Sequence, residues 1–234
     1  MKLLAIDTAT EACSVALLVQ QPGATAQLWV REQPPGPGHS AHILSLVQAV
    51  LEAGGVKLTE VDCLAFGRGP GGFTGVRLAA SVTQGLAYGA GLVVVPVSDL
   101  LALAQQALDR VPEAASVLVC NDARMQEVYW TCATRGDDGL AAPAMSEQVG
   151  RPETVKLPSE LKRPILGAGR GFAVSPVLDE RFRGEFLRIE AELLPSAREI
   201  ALLAVPAWLR GQGVTPDHAQ PVYLRNDVAR PSRK

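Results

Sequence analysis

The chain has 234 residues, of which 47% are hydrophobic and 20% are charged, and its formal net charge is −2 at pH 7. This length is sufficient for one large domain or two small ones with a sizeable buried core. The near-neutral charge gives no basic footprint of the kind that a protein following nucleic-acid phosphates normally carries.

The cysteines and the apolar runs indicate the compartment. Cys13, Cys63, Cys120 and Cys132 have no C-x-x-C spacing and are predicted to be small core residues under reducing conditions, not metal or redox ligands. No apolar run approaches the roughly 18 residues of a membrane span, and no secretory leader is expected before the first strand. The sequence therefore predicts a cytoplasmic protein without a membrane segment.

Three strands are predicted at the N-terminus. Residues 3–7 have a buried-strand pattern that ends in an aspartate, residues 8–12 form a small polar turn, and residues 13–19 form a second strand. A third strand is predicted at 26–30, after which a Pro- and Gly-rich stretch at 33–38 interrupts regular structure.

A helix is predicted from about residue 40 to residue 53, ended by Gly54 and Gly55. A surface helix usually has one apolar stripe about 100° wide, whereas this one is apolar nearly all round. Either it is sandwiched inside its own lobe or one of its faces meets another chain. Its apolar positions are 43, 44, 46, 47, 49, 50, 51 and 53.

The most informative segment is the glycine block, residues 67–77, with the sequence GRGPGGFTGVR. It follows a predicted strand at 61–66 and leads into a predicted helix at 75–88. Glycine is used where the backbone must adopt a positive φ or approach another group closely, and a strand–glycine–helix arrangement can bind an anion. The block is therefore predicted to serve either phosphate binding or tight backbone packing.

The spacing of Gly67, Gly69 and Gly72 matches the dinucleotide-binding pattern G-x-G-x-x-G. That pattern needs an acidic residue about 20 positions further on to hold the ribose hydroxyls, and the nearest acid downstream, Asp99, is too distant. Pro70 also removes one N–H from the loop. A nicotinamide or flavin dinucleotide is therefore not predicted, and no G-K-[ST] follows to make a P-loop.

The remaining pattern indicates a second lobe. A strand at 92–97 ends the first lobe, and a helix that Ser98 and Asp99 cap runs to about residue 108. The second lobe is predicted to contain an antiparallel hairpin, a segment of mostly loop with one short helix, and a strand followed by glycines: 117–120 with 127–132, 136–162, and 164–171.

Four segments of the chain resemble one family. They are LAIDTATEACSVAL at the first hairpin, LAFGRGPGGFTGVRLAASVTQGLAYG around the glycine block, NDARMQEVYW in the second lobe and PVYLR near the end. The hairpin is similar to the first phosphate loop of the actin, hexokinase and Hsp70 superfamily, and the four segments together resemble the TsaB (YeaZ) family. The match runs in order from residue 3 to about residue 225, with small departures at Gly72 and Asn121.

The resemblance implies a two-lobed α/β protein of the actin-like ATPase (ribonuclease H-like) fold, with a mixed sheet flanked by helices and a reduced second lobe. It places the first lobe at 1–98 plus about 195–213, the second at 99–194 and a tail at 214–234. A last helix at about 196–210 should pack back on the first lobe.

The resemblance also implies a function. The chain would be a non-catalytic subunit needed for threonylcarbamoyladenosine formation in tRNA, binding and stabilising the transferase TsaD. In isolation it would pair with itself, the small ATPase TsaE would complete the assembly, and tRNA would be contacted only indirectly.

The two helices of the first lobe are predicted to carry the partner surface. Small residues recur at Ser81, Gly85 and Gly89, which lie on one side of a helix and allow a second helix backbone to approach. Packing against the chain's own sheet is the alternative. With the resemblance added, the predicted interface residues are Ile43, Leu44, Val47, Leu51, Phe73, Arg77, Ala79, Ser81, Gly85 and Gly89.

Half of a nucleotide site is present in the sequence. By resemblance, Asp7, Thr8 and Thr10 correspond to the first phosphate loop, although Asp7 is equally suited to capping the hairpin turn. The second loop, at 121–124, lacks a glycine to bring backbone amides onto a phosphate. No cofactor is therefore predicted. Weak binding of ATP or ADP stays open, and an ATP-dependent small-molecule kinase or ATPase is the alternative function.

Metal and hydrolase chemistry is not predicted. His39 and His42 have no third ligand nearby, and no serine has the G-x-S-x-G context of a hydrolase nucleophile. Four arginines in the family segments either contact a partner or form ion pairs within the chain: Arg68, Arg77, Arg124 and Arg225. Pairing within the chain is favoured for Arg124.

Overall fold

A computed structural model describes residues 1–33 and 38–225. Most of the predicted interruption at 33–38 and the end of the predicted tail at 214–234 lie outside those ranges. Within the described residues, no helix combines the length and the apolar character needed to cross a bilayer.

The first sheet has five strands in the spatial order β3-β2-β1-β4-β5. The strands β1, β2 and β3 form an antiparallel meander, and β4 and β5 run parallel to β1. The predicted strands are confirmed to within a few residues, with bounds of Lys2–Asp7 for β1, Cys13–Val19 for β2, Gln27–Gln33 for β3, Cys63–Gly67 for β4 and Val93–Val97 for β5.

Helices cover both faces of this sheet, which explains its continuous apolar strands. Alternate residues of β1 point to opposite sides, so Leu4 and Ile6 face α1 (His39–Gly54) and α2 (Phe73–Ala90), whereas Leu3 faces α6. The helix α6 (Ala197–Leu209) packs on β1, β2, β4 and β5, as expected of the last predicted helix.

The second sheet is joined to the first through α3 (Asp99–Arg110), which packs on both β6 and α6. Its strand order is β11-β10-β6-β7-β8, and β9 also pairs with β7. The strands are β6 (Ser116–Asp122), β7 (Val128–Arg135), β8 (Ala141–Pro143), β9 (Gln148–Gly150), β10 (Ile165–Ala168) and β11 (Phe186–Glu190).

The prediction of loop with one short helix at 136–162 missed β8 and β9. Each of these strands has only three residues, too few for an alternating apolar pattern to be recognised. The helical part of the segment is a single 3₁₀ turn at Pro152–Thr154.

The two sheets repeat one plan. In each, a three-strand antiparallel meander is followed by two further strands that are parallel to the first strand of the meander. The chain therefore has the two-lobed actin-like fold. The second lobe is reduced in its helices and not in its sheet, because α4 (Arg170–Val174) and α5 (Pro176–Arg181) are only five and six residues long.

Candidate functional site

The glycine block packs directly on the first hairpin turn. The N–H of Gly72 donates to the carbonyl oxygen of Ala9 at 2.7 Å, and the hydroxyl of Thr8 donates to the carbonyl oxygen of Gly75 at 2.7 Å. A Cβ on Gly71 would lie 2.5 Å from the Ala9 oxygen, and one on Gly75 would overlap the Thr8 oxygen. These glycines therefore serve backbone packing, one of the two roles that the sequence predicted for the block. We call this contact the glycine seat.

The second lobe has a matching contact. Gly169 and Gly171 follow β10 as the glycine block follows β4, and a Cβ on either would lie 2.5 or 2.7 Å from the carbonyl oxygen of Cys120. Gly169 also has a φ of +98°, which favours glycine. Both lobes thus place glycine where the loop after a parallel strand meets the end of the sheet's first strand.

Asp7 lies beneath the glycine seat and not in an open site. Its carboxylate accepts the N–H of Ala9 at 2.8 Å and faces the carboxyl of Asp99, which in turn accepts the N–H of Gly69. A Cβ on Gly67 would overlap the Asp99 carboxyl and lie 3.0 Å from Oδ1 of Asp7. Asp7 therefore has the hairpin-capping role that the sequence allowed. The contact of Asp99 with Asp7 was not predicted, because the two residues lie far apart in sequence.

Burial changes the protonation of this pair. Burial raises the pKa of Asp7 from 3.8 to about 6. Burial and the neighbouring Asp7 carboxylate raise the pKa of Asp99 well above its ordinary value. Oδ1 of Asp99 is buried without a donor among the described residues, as expected of an oxygen that carries a proton and donates it to Asp7.

A cleft of about 860 Å³ separates the two lobes. The turn after β1, the start of α2, the β6–β7 hairpin, α4 and the segment 222–225 line it. Among the three residues of the predicted phosphate loop, Thr10 lines the cleft, whereas Asp7 and Thr8 are buried. An ion pair between Glu11 of the first lobe and Arg170 of the second crosses it.

The β6–β7 hairpin ends in an unusual turn. Arg124, Met125 and Gln126 have φ values of 60°, 55° and 62°, although none of them is glycine. The left-handed conformation costs roughly 1–2 kcal/mol for each such residue. Neighbouring contacts must offset this cost, and the turn lies where the superfamily resemblance placed the second phosphate loop.

Three of the four arginines form ion pairs within the chain. Arg124 lies 3.0 Å from Asp122, which confirms the pairing favoured from the sequence. Arg68 makes a two-pronged contact at 3.1 Å with Glu147, which lies in the second lobe. The third ion pair joins Arg225 to Glu127.

The fourth arginine, Arg77, lies against aromatic rings. Its guanidinium carbon is 3.3 Å from the centre of the Phe73 ring and 4.7 Å from that of Tyr223. Unlike the other three, Arg77 takes part in no ion pair within the part of the chain that the structure describes.

The helix α1 presents fewer candidate interface residues than predicted. Ile43 and Val47 are buried against the first sheet, so their assignment to a partner surface is corrected: they belong to the core of their own lobe. Leu51 is half-buried and packs on the same core. Leu44 is 58% exposed and keeps its candidate role.

The helix α2 has one buried and one open side. Ala79 is fully buried in the core, so its assignment to the interface is also corrected. Ser81, Gly85 and Gly89 are exposed, and a Cβ added to either glycine would meet no atom within 4 Å. Intrachain packing therefore does not explain these two glycines.

Two aromatic residues extend this open side. Phe73, one of the predicted interface residues, is 61% exposed at the start of the helix. Tyr88 is 84% exposed and was missed, although it continues the series 81, 85, 88 along one side. We call Ser81, Gly85, Tyr88 and Gly89 the α2 face.

The described residues hold no cluster of three His, Cys, Asp or Glu side chains with the geometry to bind a metal ion. The ring of His39 instead contacts the carbonyl oxygen of Glu11 at 3.1 Å.

Comparison with known proteins gives a consistent family. Residues 36–169 match the TsaD family model, tRNA N6-adenosine threonylcarbamoyltransferase. The tRNA threonylcarbamoyladenosine biosynthesis protein TsaB of Escherichia coli (strain K12) is 42% identical, covering 98% of this chain and 96% of that protein. The protein of the same name from Haemophilus influenzae is 37% identical, covering 97% and 95%.

A crystal structure from Pseudomonas aeruginosa, of a protein described as similar to the peptidase YeaZ, is 43% identical and has a TM-score of 0.86. The alignment covers 96% of this chain and 99% of that chain. With near-complete coverage by both sequence and structure, the chain belongs to the TsaB family of tRNA threonylcarbamoyladenosine biosynthesis proteins.

Proposed function

We propose that this chain is a non-catalytic subunit that binds and stabilises a TsaD-family transferase during threonylcarbamoyladenosine formation in tRNA. The small ATPase TsaE completes the proposed assembly, which works in the cytoplasm, and this chain contacts tRNA only indirectly. In isolation, the chain pairs with itself through the same surface.

The α2 face is the observation that carries this proposal. A glycine inside a helix costs roughly 0.5–1 kcal/mol relative to alanine, and α2 has both Gly85 and Gly89 on its solvent side with empty space around them. No contact in the described part of the first lobe offsets that cost. Packing against a helix of a second chain would offset it, because the missing side chains let the two helix backbones approach closely.

The non-catalytic part of the proposal is supported by the phosphate-loop residues. Asp7 and Thr8 are buried and Asp7 faces Asp99, so of the three predicted phosphate-loop residues only Thr10 lines the cleft. In-line phosphoryl transfer depends on precisely held loops and metal ligands. We therefore propose no resident cofactor.

The purified chain is expected to show no turnover of Mg²⁺-ATP above a buffer blank, and sustained turnover would favour the kinase or ATPase alternative.

Gly85→Arg is expected to raise the Kd for the cognate TsaD at least about 30-fold, because a long charged side chain would keep the partner helix from packing closely on the α2 face. The isolated variant should remain folded, since its new side chain enters open space. Calorimetric titration gives the Kd, and size-exclusion with light scattering gives the oligomeric state of the chain alone and of the mixture.

Leu209→Arg is the matched control, because Leu209 is exposed on α6, which packs on the opposite face of the first sheet. It should bind TsaD as the unchanged chain does. Wild-type affinity of Gly85→Arg for TsaD would exclude the α2 face, and the absence of any complex with the unchanged chain would overturn the proposed function.

A further inference from the structure

The segment 219–225 crosses from the first lobe to the second, and we call it the C-terminal strap. At its start, the carbonyl oxygen of Ala219 accepts the side-chain amide of Gln84 on α2 at 3.0 Å. In its middle, the N–H of Val222 donates to the carbonyl oxygen of Arg68 at 2.7 Å. The strap is therefore fixed along the glycine block and α2.

The strap ends on the second lobe. Arg225 forms an ion pair with Glu127 and donates to the carbonyl oxygen of Ala123 at 3.3 Å. Its other nitrogen lies 3.4 Å from the sulfur of Met125, in the left-handed turn of the β6–β7 hairpin. This contact fixes both the strap and the turn.

Between these two ends, the strap places Tyr223 beside α2. The ring of Tyr223 lies 6.5 Å from that of Phe73, and the guanidinium of Arg77 lies against both rings. Tyr223 is 47% exposed, comparable with its neighbour Phe73. Arg77 donates to the carbonyl oxygen of Phe73 at 3.0 Å, which fixes the orientation of its planar group.

This cluster has the composition of a protein–protein hot spot. Aromatic and arginine side chains dominate such sites. A guanidinium that lies against aromatic rings can present its remaining N–H groups to a carboxylate. None of the ion pairs among the described residues involves Arg77.

We infer that Phe73, Arg77 and Tyr223 form a single contact site for TsaD, in which Arg77, lying against both rings, receives a carboxylate of the partner. This inference rests on the proposed function and extends it, because the partner surface then includes the C-terminal strap as well as the helices. The site adjoins the α2 face, since Arg77 lies one helical turn before Ser81.

A protein carboxylate fits this site better than an RNA phosphate. The net charge of the chain is −2, and acidic Asp122 and Glu127 lie in the hairpin held by the strap. A phosphate backbone is bound by several cations together, whereas the other two nearby arginines, Arg124 and Arg225, are already paired with those acids.

The test measures the Kd of full-length variants for the cognate TsaD by calorimetric titration at low and high salt. Tyr223→Ala and Arg77→Ala are each expected to raise the Kd at least about tenfold. Tyr223→Phe keeps the ring and should restore most of the affinity. Arg77→Ala should reduce the salt dependence, because a charge pair is lost.

Arg225→Gln tests the positioning role of the strap's end. It removes the ion pair without touching the proposed contact site, and it should weaken TsaD binding severalfold while Tyr223 becomes more accessible to protease. Leu187→Ala is the matched control: Leu187 is 48% exposed, on the edge strand β11 of the second lobe. It should bind normally.

The outcomes separate this inference from the proposed function. If Gly85→Arg abolishes binding but Tyr223→Ala and Arg77→Ala bind normally, the strap site is wrong and the α2 face stands. If Tyr223→Ala instead weakens binding of unmodified tRNA alone and leaves TsaD affinity unchanged, the site is an RNA contact and the inference is overturned. If the unchanged chain does not bind TsaD, both proposals fail.

Discussion

Gly75→Ala is expected to lower the free energy of unfolding by about 2–4 kcal/mol, because its new methyl group would overlap the backbone carbonyl of Thr8. Backbone atoms cannot rotate away as a side chain can, so the start of α2 must shift from the first hairpin turn. That shift would also break the hydrogen bond from the Thr8 hydroxyl to the Gly75 carbonyl. Urea unfolding followed by circular dichroism measures the loss.

Gly85→Ala is the matched control because it makes the same chemical change in the same helix. A Cβ at Gly85 meets nothing within 4 Å, so only helix propensity changes. The free energy of unfolding should rise by up to about 1 kcal/mol. Equal effects of the two substitutions would contradict the close contact described for the glycine seat.

The free energy of unfolding is expected to fall by about 2–3 kcal/mol between pH 4 and pH 7 because of Asp7 alone, and Asp99, whose pKa is also raised, adds to that fall. In the folded chain the pKa of Asp7 is raised to about 6 from 3.8. The folded state therefore binds protons more tightly than the unfolded state does. The stability that the proton confers is complete below about pH 4 and is lost as the pH rises through 6. Burial also raises the pKa of Glu199, which faces the pair from α6 and adds to the same slope.

Asp99→Asn should remove the part of the slope that Asp99 contributes, leave the part that the burial of Asp7 contributes, and raise the stability at pH 7. The amide nitrogen can donate to Asp7 permanently, as the protonated carboxyl does, and the amide oxygen can still accept the N–H of Gly69. Urea unfolding at several pH values checks this. Asp137→Asn, a change at an exposed loop acid, should leave the slope intact. An unchanged slope in Asp99→Asn would show that Asp99 takes up no proton on folding in this pH range.

Local pattern was sufficient to predict most strands and helices of the first lobe. It also located the glycine block, but it did not decide between phosphate binding and backbone packing. That decision depends on the contact between Gly75 and Thr8, which lie far apart in sequence and meet only because β4 pairs with β1. The spacing of glycines alone carries no information about such a neighbour.

The interface prediction failed where one helix was apolar all round. In α1, Ile43 and Leu44 are adjacent and equally apolar, yet the first is buried and the second is exposed. Only the position of the sheet distinguishes them. The glycines of α2 carried more information, because an exposed glycine inside a helix has no local advantage. Local pattern also missed the role of Asp99, because that role comes from its contact with Asp7, which lies far away in sequence.

The recurrence of one strand order in both sheets, each with glycines placed on a carbonyl at the end of its first strand, is what duplication of an ancestral half-molecule would leave behind. The two copies have since diverged unequally. The helix after β4 has 18 residues, whereas its counterpart after β10 has five. The buried contact between glycine and carbonyl is thus common to both halves, whereas the long outer helix, with the exposed glycines of the α2 face, belongs to the first half alone among the described residues.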